Sequence, residues 1–201
     1  MQKINIEITF REELLGTASA DPKIHEEFIA SKAPDAPTTE EEVANLGAEA
    51  VVEKSMSVFP KENGRPFLYD YQIKGFFKDA CGSLKRVPGT LSEKLKAYKK
   101  VIDGTIFVTP RKIIFNGETK VGHCQRPLRA QTLQGERVAL ANSETIAEGS
   151  KLSFTVVLLN PKDEPLLKEW LNYGEFRGLG QWRNSGKGRF TWERQGVGTP
   201  Q

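Results

Sequence analysis

The chain has 201 residues, 38% hydrophobic and 27% charged, the balance of a globular protein with one or two domains. Two Cys and two His exclude a disulfide-rich scaffold and argue against a cysteine or multi-histidine metal centre, so neither cofactor nor metal is expected. No apolar run approaches the roughly 20 residues that span a bilayer, and the alternating, charged start MQKINIEITF is unlike a signal peptide. A reduced, cytoplasmic protein with no membrane partner is the expectation.

The net charge of +3 hides a segregation. Residues 1–62 hold 6 Lys/Arg against 13 Asp/Glu, and residues 72–137 hold 14 against 5. A basic middle of this density suits a polyanion binder. It equally suits a surface whose charges pair with the acidic first third, and charge alone does not choose.

In chain order, Lys3–Phe10 alternates apolar and polar and reads as a half-buried strand. Asp21-Pro22 suggests a short helix start, Ala33–Pro37 a break, and Thr38–Glu42 a capped helix running to Gly47 or Lys54. Gly64–Tyr71 reads as a turn and a short extended piece. A helix follows over 73–86, on the face Ile73, Phe76, Phe77, Ala80, Cys81 and Leu84. Gly75 and Gly82 weaken that helix and suggest close approaches there. A second helix is expected over 92–102, with Lys94, Lys96, Lys99 and Lys100 outward. Strands are expected over 104–108 and 111–115, an ordered loop or edge strand over 122–134, and a strand over 137–141. A strand over 151–159 follows, then a helix over 163–173 stopped by Gly174, a glycine-rich loop, and a strand over 188–193. The tail from Arg194 reads as disordered. With the middle collapsed this is an α+β pattern, β-α-β-β-α-β, the ferredoxin-like or RRM-like order. It predicts one domain over 1–193, with insertions over about 11–62 and 87–103.

Two segments carry chemistry. In the first, Asn63–Lys78, an extended stretch delivers Lys74 and Gly75 to a helix start, where free N–H groups favour a phosphate. Lys78 lies one turn on. In the second, Gly178–Phe190, glycines supply unusual backbone and exposed N–H groups, Trp182 a stacking surface, and Arg183, Lys187 and Arg189 charge. It is neither a P-loop nor a dinucleotide fingerprint, because it precedes a strand and lacks the P-loop lysine pattern. The alternative for each is structural: glycines for packing, solvated lysines, and Trp182 as a core anchor. Arg126, Arg129 and Arg137, with Gln125, Gln131 and Gln134, form a further patch suited to phosphates and base edges.

Together the two segments resemble the RAMP superfamily (repeat-associated mysterious proteins), in particular the backbone subunits of CRISPR effector complexes. There an N-x-G-x-P-x-I-P-G-S-S-I-K-G-like stretch precedes the first core helix, and an L-G-G-x-x-S-x-G-x-G-like loop follows the last. Gly64, Pro66, Ile73, Lys74 and Gly75 match the first, and Gly178, Leu179, Gly180, Ser185, Gly186 and Gly188 the second. Asp70-Tyr71-Gln72 stands where Gly-Ser-Ser is usual. Cys124–Thr132 resembles instead hypothetical proteins of phages and mobile elements.

The resemblance implies an RRM-like core that binds single-stranded nucleic acid, RNA before DNA, as a homo-oligomer or within a ribonucleoprotein. Residue chemistry and the resemblance together give the expected contacts Lys74, Gly75, Lys78, Arg126, Arg129, Gly180, Trp182, Arg183, Gly186, Lys187 and Gly188, with Lys74 and Arg183 converging on one positive groove. Some relatives cut RNA with a His or a metal-bound Asp near the start of the fold. His25 and Asp21 occupy that region, but a surface histidine among acids and a helix cap explain them better, so the expected role is non-catalytic. Two alternatives remain: a mobile-element protein that mimics or joins such an assembly or sequesters a nucleotide, and an RNA endonuclease.

Overall fold

The computed structural model describes residues 1–20, 56–132 and 135–196, apart from the side chains of 128–132 and 135–140. The helices expected from Asp21 and from Thr38 lie outside the described residues, as do Asp21 and His25 themselves.

The described strands are β1 (Gln2–Phe10), β2 (Leu14–Leu15), β3 (Ala18–Ser19), β4 (Ser57–Val58), β5 (Lys61–Glu62) and β6 (Arg65–Tyr69). After them come α1 (Asp70–Leu84), α2 (Tyr98–Thr105), β7 (Ile106–Thr109), β8 (Lys112–Ile114), β9 (Val121–Thr132) and β10 (Gly135–Ile146). The chain continues with β11 (Lys151–Leu158), α3 (Glu164–Arg177) and β12 (Phe190–Arg194). It divides into two compact units, Met1–Leu14 with Pro60–Lys120 and Ile146–Gln201, and Leu15–Phe59 with Val121–Thr145.

The first unit is built on a four-stranded sheet in the order β12-β1-β11-β7, every neighbouring pair antiparallel. Along the chain its strands and two long helices run β1-α1-β7-β11-α3-β12. Alternation in β1 and β11 sends Ile4, Ile6, Ile8, Phe10, Leu152, Phe154, Val156 and Leu158 to one buried face. On α1, Ile73, Phe76, Phe77, Ala80 and Cys81 make one apolar stripe, and on α3 Leu167, Trp170, Leu171 and Gly174 make another. The stripes lock through rings: Phe77 lies 5.9 Å from Trp170 and Phe76 5.2 Å from Phe190, centroid to centroid. Burying each such side chain contributes about 1.5–3 kcal/mol. A small second sheet, β5-β6-β8, belongs to the same unit.

Several boundaries differ from expectation for physical reasons. Helix α1 begins at Asp70, three residues early, because Gln72 Oε1 accepts the Tyr69 N–H at 2.8 Å and closes the first turn. The expected helix over 92–102 breaks after a 3-10 turn at Ser92–Lys94, and α2 starts only after Ala97 adopts φ 47°. Strand β7 joins β11 and β8 joins β6. Gly174 does not stop α3. The Phe190 ring lies where its Cβ would stand, so glycine is needed inside the helix, which ends instead at Gly178, φ 75°. Arg194 is strand rather than tail, and the next N–H, of Gln195, donates to Asn5 O at 2.9 Å.

In the second unit, β9 pairs with β10, which also meets β4 in parallel at Ser143 and Ser57. Strand β3 pairs antiparallel with β4. Pro127 is tolerated on β9 because that strand pairs on one side only among the described residues. Glu144 accepts the Phe59 N–H at 2.8 Å. Among the described residues no helix is long and apolar enough to cross a membrane, and no group of His, Cys, Asp or Glu could hold a metal ion.

Candidate nucleic-acid interface

The start of α1 is not an open anion site. The Tyr69 N–H is taken by Gln72, the Asp70 N–H by Arg111 O at 3.0 Å, and the Tyr71 N–H by Asp70 Oδ1 at 2.8 Å. A carboxylate already occupies the positive end of the helix. The residues standing in for Gly-Ser-Ser are thus the ones that fill the position a phosphate would use. Because the helix starts early, Lys74 and Gly75 lie in its second turn. Gly75 has open space around its Cα rather than a close neighbour, whereas Gly82 is packed by the Tyr98 hydroxyl.

Lys74 Nζ donates to Asp103 O at 3.0 Å and lies 4.9 Å from the Phe107 ring centroid. Lys78 pairs with Asp103 at 2.5 Å, and that hydrogen bond lowers the Asp103 carboxyl pKa. Lys74 therefore faces α2 and β7, and Lys78 faces α2.

The glycine-rich loop is stitched to its own unit. Glycines 178, 180, 186 and 188 all have positive φ, and Trp182 does too at 54°. A Cβ on Gly178 would meet Gly188 C at 2.6 Å, and one on Gly188 would collide with Leu179 O, so two backbones cross here at glycine contact. The Leu179, Ser185, Gly186 and Gly188 N–H groups donate to Gly188, Trp182, Arg183 and Glu13 carbonyls. Arg183 pairs with Asp79 at 2.7 Å and Lys187 with Glu13 at 2.9 Å. Asp79 also holds Arg177 at 3.0 Å, and this hydrogen bond raises the Arg177 pKa. Gly180, Trp182, Asn184 and Arg189 stay exposed.

Lys74 and Arg183 do not converge. Arg183 is held at Asp79, and five residues of α-helix place Asp79 about 140° around α1 from Lys74. The single positive groove expected between them is replaced by two separate flanks of one helix. Arg126 is also corrected: it is buried in the second unit, and its Nη1 donates to Ser143 Oγ at 3.2 Å. Arg129 lies on the same strand, β9.

The most cationic accessible stretch is one the motifs do not mark. From the end of α1 into the first turn of α2, Lys85, Arg86, Lys94, Lys96, Lys99 and Lys100 are all exposed, and none is ion-paired among the described residues. The sole acid in this stretch, Glu93, accepts the Gly89 N–H at 3.0 Å. The stretch is anchored from below. Glu169 on α3 accepts the Leu91 and Ser92 N–H groups at 2.6 and 3.0 Å, and Ser92 Oγ accepts Trp170 Nε1–H at 2.9 Å. Lys85 Nζ reaches back to Leu95 O at 3.1 Å. Cys81 beneath it is buried, which raises its thiol pKa and keeps it protonated and unreactive. The legible signal was cation density over a short span with one acid, easily read as a solvated helix face.

The sheet face opposite the helices is a weaker candidate. Glu7 sits at its centre, bound to Lys151 at 2.7 Å, Asn116 at 3.0 Å and Ser153 at 3.1 Å; the hydrogen bonds from Lys151 first, and Ser153, lower its pKa. Thr155 donates to Asn5 Oδ1 at 2.9 Å. A carboxylate in a closed polar network repels phosphate.

No family model matches the sequence, and no curated protein does. A chain of the cryo-EM structure of the Type III-B Cmr-beta bound to cognate target RNA is similar in fold, with a TM-score of 0.50 at 13% identity. The match covers 96% of this chain and 58% of that one, so the present chain spans little more than half of its length. A chain of a Type IV-B CRISPR Complex matches at a TM-score of 0.47 and 10% identity, over 100% of this chain and 93% of that one. Cmr6 from Pyrococcus furiosus matches at 0.48 and 10%, over 94% and 97%. The first of these likenesses shows a fold shared with that chain of the Cmr-beta structure.

Proposed function

We propose that the chain is a non-catalytic, RAMP-type subunit that binds single-stranded RNA along its 85–100 connection, as part of a ribonucleoprotein assembly or of a homo-oligomer formed on the strand. The observation that carries this reading is the antiparallel order β12-β1-β11-β7 with helices after its first and third strands in chain order. That order is the one a ferredoxin-like, RRM-like core would have, and it supports the RAMP resemblance of the two glycine-bearing segments. The fold neighbour in an RNA-bound effector supports the choice of ligand.

The interface is assigned to Lys85, Arg86, Lys94, Lys96, Lys99 and Lys100 because their charges are not spent on carboxylates among the described residues. Six exposed cations on an anchored connection make a compact electrostatic footprint for a phosphate backbone. Trp182, 41% exposed on the glycine-rich loop, adds a stacking surface. Fluorescence anisotropy with single-stranded RNA, single-stranded DNA and duplex RNA tests the reading. Salt-sensitive binding of single strands, without cleavage when divalent metal is added, is the expected result. No binding at low salt, where phosphate contacts are strongest, removes it.

A further inference from the structure

The outer face of the small β5-β6-β8 sheet carries a row of aromatic rings that neither motif accounts for. Alternation along β6 puts Arg65, Phe67 and Tyr69 on one face, while Pro66 and Leu68 are buried on the other. Phe67 meets Tyr69 edge-on, with ring centroids 5.0 Å apart. Tyr69 then stacks on Tyr71, at 5.2 Å and an interplanar angle of 16°. Exposure rises along the row: Phe67 is buried, Tyr69 intermediate, and Tyr71 49% exposed.

Arg111 flanks this row. Its guanidinium carbon lies 5.6 Å from the Tyr69 centroid and 5.5 Å from that of Tyr71. A cation covering the outer face of Tyr71 would stand far from Tyr69, because the rings are nearly parallel. Near-equal distances instead put Arg111 beside the pair, leaving the outer face of Tyr71 uncovered by it. Asp70 fixes the guanidinium there at 2.7 Å. Lys112 stands 5.5 Å from the Phe67 centroid, tied to Glu62 at 2.6 Å. At the other end, Arg65 donates to Phe115 O at 2.7 Å, a neutral partner, and pairs with no carboxylate among the described residues.

We propose that Tyr71 is a stacking platform for an unpaired nucleobase, the base continuing the Tyr69–Tyr71 stack and the strand's phosphates being drawn toward the exposed Arg65. A stacked aromatic pair flanked by a guanidinium offers a base a preformed, sequence-tolerant surface. The assignment rests on the single-strand binding proposed above and names a contact that the resemblance does not supply, since Tyr71 stands within the departure from Gly-Ser-Ser. Tyr71 itself contributes little to the core, being the outermost ring.

The test titrates the full chain and its Tyr71→Ala and Tyr71→Phe variants with oligo(A) RNA carrying 2-aminopurine, and with an abasic strand of equal length. The expected result is quenching of 2-aminopurine by the wild type and Tyr71→Phe. Tyr71→Ala loses that quenching and binds on the order of 5- to 150-fold more weakly, with an unchanged salt slope. The abasic strand binds all three alike. Equal affinity and equal quenching for Tyr71→Ala overturn the platform and leave the single-strand reading standing. A wild type that binds neither strand overturns both. Should Tyr71→Ala not fold, absence of quenching in the RNA-bound wild type is by itself enough to overturn the platform.

Discussion

The glycine-rich loop over 178–188 and the connection over 85–100 are both cationic in sequence, and the structure uses them in opposite ways. In the loop, Arg183 and Lys187 are paired with Asp79 and Glu13, and several N–H groups are spent on backbone carbonyls. In the connection, six cations stand exposed without ion pairs among the described residues, and the carboxylate that matters, Glu169, binds backbone N–H groups rather than lysines. A local sequence shows where charge is, but not whether a distant carboxylate has neutralised it. The loop carries the family-like motif and does structural work. The connection carries no motif, and its cations stay clear of carboxylates among the described residues.

Changes to two closely packed glycines, Gly188 in the loop and Gly174 in α3, give the largest expected effect. Gly188→Ala places a Cβ against Leu179 O at φ 72°, and Gly174→Ala places one in the Phe190 ring. Each should cost about 3 kcal/mol in urea unfolding. A change under about 0.5 kcal/mol for Gly188→Ala would mean that the loop is not held by backbone contact, and would make it a candidate ligand surface again.

Next comes the anchor of the connection. Glu169→Ala leaves the Leu91 and Ser92 donors without their acceptor and should cost about 1–3 kcal/mol. Hydrogen exchange should rise at Leu91 and Ser92 first. Arg183→Ala sharpens the contrast more gently. It removes a cation already neutralised by Asp79, so RNA affinity should change by less than about twofold, a loss of no more than about 0.4 kcal/mol. A tenfold loss would put the interface at the loop after all.

The smallest effect is on acid stability. Hydrogen bonding to Lys78 holds the Asp103 pKa below its usual 3.8. A depressed folded pKa stabilises the fold above the unfolded value, and that contribution fades as pH falls through the folded one. Asp103→Asn should therefore flatten the stability profile slightly below about pH 3.8. It also frees Lys78, so RNA affinity should rise a little at neutral pH. A fall would show that Asp103 positions the lysine for binding.

Much of the first unit was legible from the sequence because its signals are local. Ile4, Ile6, Ile8 and Phe10 alternate as a strand must, and Ile73, Phe76, Phe77, Ala80 and Cys81 recur at helical spacing. What misled were features decided by distant partners. Gly174 reads as a helix stop until the Phe190 ring is placed on it. Lys74 reads as the start of a helix until Gln72 caps it three residues earlier than expected. Arg126 reads as a surface cation until β10 brings Ser143 to it. The Tyr69–Tyr71 stack was invisible because it joins a strand end to a helix start, where neither period applies.

The most direct test of the account is the salt dependence of RNA binding by a variant with Lys94, Lys96, Lys99 and Lys100 changed to Ala. These exposed changes should leave the unfolding midpoint nearly unmoved. The wild type should bind single-stranded RNA with affinity falling linearly against salt on logarithmic axes. The slope should shrink in the variant by about 0.7 for each lysine that meets a phosphate. An unchanged slope and affinity would contradict the assignment of the interface to this connection.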